Sequence, residues 1–470
     1  MFFLAVKWVD DTGEAYKASL EAPMSPLAFL LIAILALIVL TRSRAAAVAA
    51  VVAAVAYLPQ TEVLNIGFHF YAVRLVLLAG IIRLFIRGEH RDFRFGKLDK
   101  ALFIYAGVIF VIASLRAPEE LTPRLGGLYD LFLSYFLFRC LLRNEEDFRL
   151  ALSRVAYAII PFAGLMIYET MTNHNPFSLF NGITANSWIR NGHTRAEGPF
   201  RNPITAGSFG ATFAMLYAGL FFSGVRKRFV LVGFLAAAAI VLSSHSSGPF
   251  LGLALGLLAF FCWRWQRHLK QILYGVVALL LVLQVVMSSP VWFLIAKVSD
   301  VTGGGGYHRA MLIEQTVHYF DRWWLAGTVE TSDWFPYEMN GKADITNWFV
   351  AAAVDAGLLG LFAAVSLVVT LFKTLGASIA ANPEPRAKKL LWGIGATLVG
   401  SLGILFSVTY MDQMQIVWYL LLASIATLAV RPPLVLTVLP DPLTVLPDPF
   451  PARKERVEWR ERLNSGNVAV

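Results

Sequence analysis

A succession of apolar blocks from Leu27 to Val430 restricts this chain more than any other feature, because each is long enough, or nearly so, to cross about 30 Å of hydrocarbon as a helix. The earlier blocks run Leu27 to Leu40, Ala45 to Leu58, Phe68 to Ile86, Ala101 to Leu115, Tyr129 to Leu142 and Leu150 to Tyr168. The later ones run Ile204 to Phe222, Phe229 to Leu242, Phe250 to Trp263, Ile272 to Met287, Trp348 to Phe372, Leu391 to Val408 and Ile416 to Val430. With 57% hydrophobic and only 15% charged residues, polar side chains are too few to cover a soluble globule of 470 residues. The alternating pattern of barrel strands is absent. The expected fold is therefore all-α, a polytopic membrane helix bundle of twelve or thirteen transmembrane helices across residues 26–430, preceded by a segment 1–25 and followed by a tail 431–470.

A net charge of +9 in a soluble protein would point to nucleic acid, but here the basic residues sit in short loops on alternate sides of the blocks, the pattern that orients a membrane protein. Four clusters are expected to be cytoplasmic: Arg87 to Lys100, Arg226 to Arg228, Arg264 to Lys270 and Arg386 to Lys389. Counting blocks between them puts two longer polar segments, residues 171–203 and 289–346, together on the external face. Cys140 and Cys262 lie in or beside apolar blocks and imply no disulfide framework. The segment Met1 to Pro23 carries Asp10, Asp11, Glu14 and Glu21 and makes a poor signal peptide. The tail repeats Val-Leu-Pro-Asp-Pro at Val438 to Pro442 and Val445 to Pro449, and reads as a flexible cytoplasmic extension.

Chemistry is expected in the two external segments. The first ends in Arg195-Ala196-Glu197-Gly198-Pro199-Phe200-Arg201-Asn202-Pro203. Gly198 and Pro199 favour a turn, Asn202 and Pro203 favour a helix start, and the two arginines offer forked, permanently charged donors to an anion beside a helix N-terminus. In the second segment, Gly303 to Gly306 precede Tyr307-His308-Arg309, after which Met311, Leu312, Gln315, His318 and Tyr319 fall at helical spacing. The glycines lack the lysine and hydroxyl residue of a phosphate-binding loop and read as a tether. The segment closes on Thr346-Asn347, followed by Gly357 and Gly360, small residues that let helices approach closely. Asp355 is an ionisable group inside an apolar helix, and Arg74 or Arg154 is its expected partner.

Arg195-x-x-Gly198-x-Phe200-x-Asn202-Pro203, the Arg309 helix leading through Trp324 to Gly327, and the Asn347 motif with its paired glycines resemble, in this order, the O-antigen ligase and Wzy-type polysaccharide polymerase superfamily. The resemblance covers most of Leu27 to Val430. It implies a bacterial inner-membrane glycosyltransferase with a periplasmic active face, moving a glycan from a polyprenyl diphosphate donor to an acceptor hydroxyl without metal or other cofactor. Arg195, Arg201 and Arg309 would neutralise the departing diphosphate, and Asn347, Thr346, Gly198 and Asn202 would shape the site. Ligases of this superfamily place histidine before the asparagine, where this chain has Thr346, and Ser246-Ser247-Gly248-Pro249 stands where a serine and arginine pair is expected. Both departures favour a polymerase of repeat units for exopolysaccharide, capsule or O-antigen over a ligase acting on lipid A core. His308, His318, Asp344 and Glu338 are the candidates for the acceptor-activating base, Arg309 being the other residue given a catalytic part. Membrane lipids, the lipid-linked donor and a glycan acceptor are the implied partners, with a flippase and a chain-length regulator as neighbours in the process and no nucleic acid. The rival classes are a flippase of lipid-linked oligosaccharide and a non-catalytic scaffold; convergence of Arg195, Arg309 and Asn347 on one place separates the enzyme from both.

Overall fold

Polar residues at the borders of the apolar blocks decide where helices begin. Ser25 accepts from the Ala28 amide at 3.2 Å with Pro26 following, Asn144 from Asp147 at 2.8 Å, and Asn202 from Thr205 at 2.9 Å with Pro203 following. Each supplies an acceptor to a first-turn amide that has none within its own helix. The computed structural model describes residues 21–429 except 66–68, 226, 302–304, 336–342 and 411. Its helices are α1 (Pro26–Thr41), α2 (Arg44–Tyr57), α3 (Ala72–Ile86), α4 (Lys97–Arg116), α5 (Leu121–Leu141), α6 (Glu145–Thr172), α7 (Pro203–Phe222), α8 (Arg228–Ser243), α9 (Ser247–Phe261) and α10 (Leu269–Val286). After these come α11 (Leu294–Val301), α12 (Gly306–His318), α13 (Phe320–Trp323), α14 (Trp348–Ala381), α15 (Pro385–Leu405) and α16 (Met414–Leu428).

Every apolar block of the sequence corresponds to one of these helices, and the fold is all-α apart from two small sheets. Strand β1 (Ala22–Pro23) pairs parallel with β2 (Glu62–Asn65), which pairs antiparallel with β3 (His69–Tyr71); β4 (Trp188–Arg190) and β5 (His193–Arg195) form a hairpin. The block expected from Phe68 becomes helical only at Ala72, because the residues before it join β2. Among the described residues six helical stretches are long and apolar enough to cross a bilayer, one of them the run Ser247–Val286, in which α9 and α10 are joined by a 3-10 stretch kinked at Trp265, and α1, α2, α8 and α16 are shorter apolar helices. The candidate tether contributes Gly306 as the buried first residue of α12; Glu338 and the proline-rich repeats of the tail lie outside the described residues.

Helix α7 is the hub, packed against α8, α9 and α15. Small residues permit this. A Cβ on Gly210 would meet the Ala237 carbonyl at 2.7 Å, and one on Gly219 would meet the Gly393 backbone at 3.3 Å. The helix α10 buries none of its residues against the rest of the chain, so its apolar surface is left to the surroundings. Two ion pairs lie inside this part of the bundle: Asp99 takes Arg139 at 3.0 Å and the Tyr135 hydroxyl at 2.6 Å, and Arg74 holds Asp130 at 2.8 and 2.7 Å. Arg74 is thus committed elsewhere, and Asp355 faces Arg124 at 3.9 Å instead of the expected Arg74 or Arg154.

The connections collect at the two ends of the bundle. At one end the Ser25 amide donates to Glu62, Asn181 reaches the Pro23 carbonyl, Arg195 reaches Ser246 and Arg309 reaches Ser407. At the other, Arg83 donates to the Arg42 carbonyl, Arg143 to Glu89 and Arg139 to Arg94. The two segments singled out in the sequence, 171–203 and 289–346, therefore share one end.

Helix α14 is broken at Ala356 and Gly357, where Gly357 takes φ +67°. The exposed polar groups of the break are met by the connection before it: Trp324 O accepts from the Leu358 amide at 2.8 Å, while Val354 O accepts from the Thr328 amide at 2.8 Å and from Arg116 at 3.0 Å. Gly357 was expected to serve helix packing; its role is to hold a left-handed backbone against the Leu325 carbonyl, which an added Cβ would meet at 2.6 Å. Gly357→Ala is expected to cost about 2 kcal/mol and lower the unfolding midpoint in detergent by several degrees. Gly376→Ala, whose Cβ meets nothing within 4 Å, should leave the midpoint unchanged or raise it slightly. Equal midpoints for the two variants would refute the assigned role.

Candidate functional site

A hairpin carries the first arginine. Asn191 and Gly192 sit at φ +53° and +74°, the pair of left-handed residues that a two-residue turn matched to strand twist requires. The register pairs Trp188 with Arg195 and Arg190 with His193. The chain then turns at Gly198, φ +58°, where a Cβ would press on Phe162 and Met166. The turn is held by Glu169, near the end of α6, whose carboxylate accepts from the amides of Glu197 at 3.0 Å and Gly198 at 2.9 Å and from the Ser187 hydroxyl at 2.8 Å. Asn175 donates to the Gly198 carbonyl at 2.9 Å. Gly198 and Asn202 thus frame the site, one as its turn and the other as the cap of α7.

Arg195 is buried, and its guanidinium donates to the Ser246 hydroxyl at 2.9 Å, directly before α9. Arg309, fourth residue of α12, comes to the same place from the other long connection. Its Nε donates to the Ser407 carbonyl at 3.0 Å, and its Nη2 lies 3.9 Å from where a Cβ on Gly248 would stand. Gly248 packs on Ser407 too closely for any side chain. Two arginines distant in sequence therefore flank the N-terminal turn of one helix, whose unbonded amides and dipole carry positive charge as well. Burial and the charge of Arg190 weaken the hold of the Arg309 guanidinium on its proton, and Asp344 counteracts them. The His193 and His245 rings stack at 5.1 Å, His245 at φ +42°.

Asn347 joins the arrangement by holding the same backbone. Its side-chain oxygen caps α14, accepting from Phe349 at 2.9 Å and Val350 at 3.3 Å, while its amide nitrogen reaches the Phe406 carbonyl at 3.4 Å. The Phe406–Ser407 backbone is thus the acceptor for both Asn347 and Arg309. Thr346 donates its amide to the Asp344 carbonyl at 3.0 Å, and its buried hydroxyl makes no hydrogen bond among the described residues.

Asp344 is the acid nearest Arg309 and His308 in this cluster. Burial raises its pKa, opposed by the charges of His308, Arg201 and Arg309. His308 approaches the Asp344 carbonyl at 3.2 Å and stacks on Phe335 at 4.5 Å. Arg201 is exposed and acts on both Asp344 and Asp412 through its charge. His318 is at the far end of α12, about 15 Å along the helix axis from His308, exposed and edge-on to Tyr319. It does not join the cluster.

Sequence reasoning gave no site role to Glu197, Arg190, Ser246 or Ser407. Glu197 is buried between Glu169 and Arg195; burial first and the Glu169 carboxylate next push its pKa well above the usual range, with Arg195 opposing. It stood inside the quoted motif, and Asn191-Gly192 is a legible hairpin signal that would have paired Arg190 with the cluster. Ser407 carries no sequence signal, since its backbone carbonyl does the bonding. The residues together can hold a polyanion and offer a carboxylate and an imidazole beside it. No protein-family model and no curated protein matches this chain.

Glu169→Gln replaces a carboxylate that accepts three bonds with an amide, and should cost about 2 kcal/mol locally. Limited proteolysis within residues 173–202 is expected to speed up severalfold, with cleavage elsewhere unchanged. An unaltered rate at that segment would show that the Glu169 bonds do not hold the turn.

Proposed function

We propose that this protein is a membrane glycan polymerase that transfers polyprenyl-diphosphate-linked repeat units onto a growing chain, its active end facing the periplasm. One observation carries the reading: Arg195 and Arg309, drawn from two connections more than a hundred residues apart, meet at the N-terminus of α9. A departing lipid diphosphate gains negative charge as its bond to the sugar breaks, and a cluster of guanidinium groups with a helix N-terminus stabilises that charge in place before the reaction begins. The apolar helices suit a substrate whose tail stays in a bilayer.

The acceptor hydroxyl attacks the anomeric carbon, the carbon to diphosphate-oxygen bond breaks, and the electron pair leaves with the diphosphate. The hydroxyl proton passes to a base at Asp344, assisted by His308, and a single displacement inverts the anomeric centre. The raised pKa of Asp344 suits this part, because a carboxylate of ordinary acidity accepts protons poorly. Thr346 in place of histidine at the cap of α14 supports polymerisation over transfer of finished polymer to lipid A core.

Purified protein given lipid-linked repeat unit alone should extend it, whereas growth only after addition of a lipid A core acceptor would establish a ligase. Arg309→Ala and Arg195→Ala, verified as folded by an unchanged elution profile, should lower the rate at least about a hundredfold. Normal polymer from either variant would sink the assigned role. The rate should rise with pH across an acid limb lying above the ordinary aspartate range, since the base works only when ionised; Asp344→Asn should abolish that limb along with most of the activity.

A further inference from the structure

The end of the bundle opposite the Arg195 and Arg309 cluster has a cavity of about 410 Å³. It is bounded by the turn between α1 and α2, the end of α3 and the start of α6. Four arginines line it, Arg44, Arg83, Arg87 and Arg154, against two carboxylates, Glu89 and Asp147. The carboxylates are already taken: Arg83 holds Glu89 at 2.8 Å and Arg44 holds Asp147 at 3.2 Å. Arg87 donates to the carbonyls of Thr41 at 2.7 Å and Arg42 at 3.2 Å. Arg154 makes no hydrogen bond or ion pair among the described residues. Four guanidinium groups thus face two carboxylates, an excess of two positive charges in the lining, and the cap and first residues of α2, Ser43 to Ala45, add the positive pole of that helix to the wall.

The ligand must be an anion, and the surface leading away from the cavity says what else it is. Leu150 lines the cavity and is 47% exposed; Tyr157 at 79%, Ile160 at 40%, Ile167 at 41% and Met171 at 80% continue from it along one face of α6. These positions recur at helical spacing, so they form one apolar stripe with Arg154 at its charged end. A water-soluble phosphate would use the cavity and leave the stripe uncovered. An amphiphile with a phosphate head and hydrocarbon chains matches both parts.

We propose that this cavity binds the phosphodiester headgroup of an acidic phospholipid, with Arg154 and Arg87 as the charged contacts and the α6 stripe as the seat of an acyl chain. The site is independent of the glycan-transfer reading, being at the other end of the molecule. Full-length protein in mild detergent should be stabilised by phosphatidylglycerol and not by phosphatidylcholine of the same chains. Arg154→Gln and Arg87→Gln should each weaken the phosphatidylglycerol affinity about fivefold, while Arg228→Gln, an exposed arginine that does not line the cavity, should leave it unchanged. Equal loss in Arg228→Gln would mean diffuse attraction and overturn the site. Glycerol 1-phosphate producing the same stabilisation at the same concentration would overturn the lipid assignment, as would an unaltered affinity in Arg154→Gln.

Discussion

A helix packed among apolar neighbours cannot leave its terminal amides and carbonyls to water, and in this chain the groups that meet that requirement also assemble the candidate site. Asn347 caps α14 with its oxygen and uses the remaining nitrogen to hold the Phe406 carbonyl. Arg309 takes the next carbonyl, at Ser407. Glu169 gathers the amides of a turn that delivers Arg195 on one side and starts α7 on the other. An unsatisfied backbone group in such surroundings costs several kcal/mol, so these bonds are fixed points, and the arginines inherit their rigidity.

Arginine has different work at the two ends of the bundle. Arg139 and Arg83 are spent on carboxylates that would otherwise be buried as isolated charges, and their bonds tie adjacent connections together. At the opposite end Arg195 and Arg309 bond to neutral oxygens of Ser246 and Ser407. These bonds orient the two guanidinium groups, and the Glu197 and Asp344 carboxyls lie within electrostatic reach of Arg195 and Arg309 respectively.

The helices were legible because runs of apolar side chains have few alternatives to helix in hydrocarbon, and their limits followed from caps such as Asn202-Pro203. Arg195, Arg309 and Asn347 were legible through their spacing and residue types. What escaped was side-chain pairing at a distance. Asp355 could have met any arginine on a neighbouring helix, and only the three-dimensional arrangement selects Arg124 and commits Arg74 to Asp130. His308 and His318 looked alike in sequence, yet ten residues of helix separate one from the cluster and leave the other in it. Ser407 acts through its carbonyl, a group every residue has, so no residue type could announce it.

The break in α14 bears on how the long connection before it can move. Leu358 and Thr328 bond across the gap, and Arg116 closes it from α4, so the chain is moored partway along its course. Mechanically, one wide arch becomes two short spans sharing a pier. The span carrying Arg309 then hangs between the end of α10 and that pier, and the span carrying Asp344 between the pier and α14. The two spans meet again where His308 reaches the Asp344 carbonyl at 3.2 Å, so a bulky chain entering beside one is felt at the other.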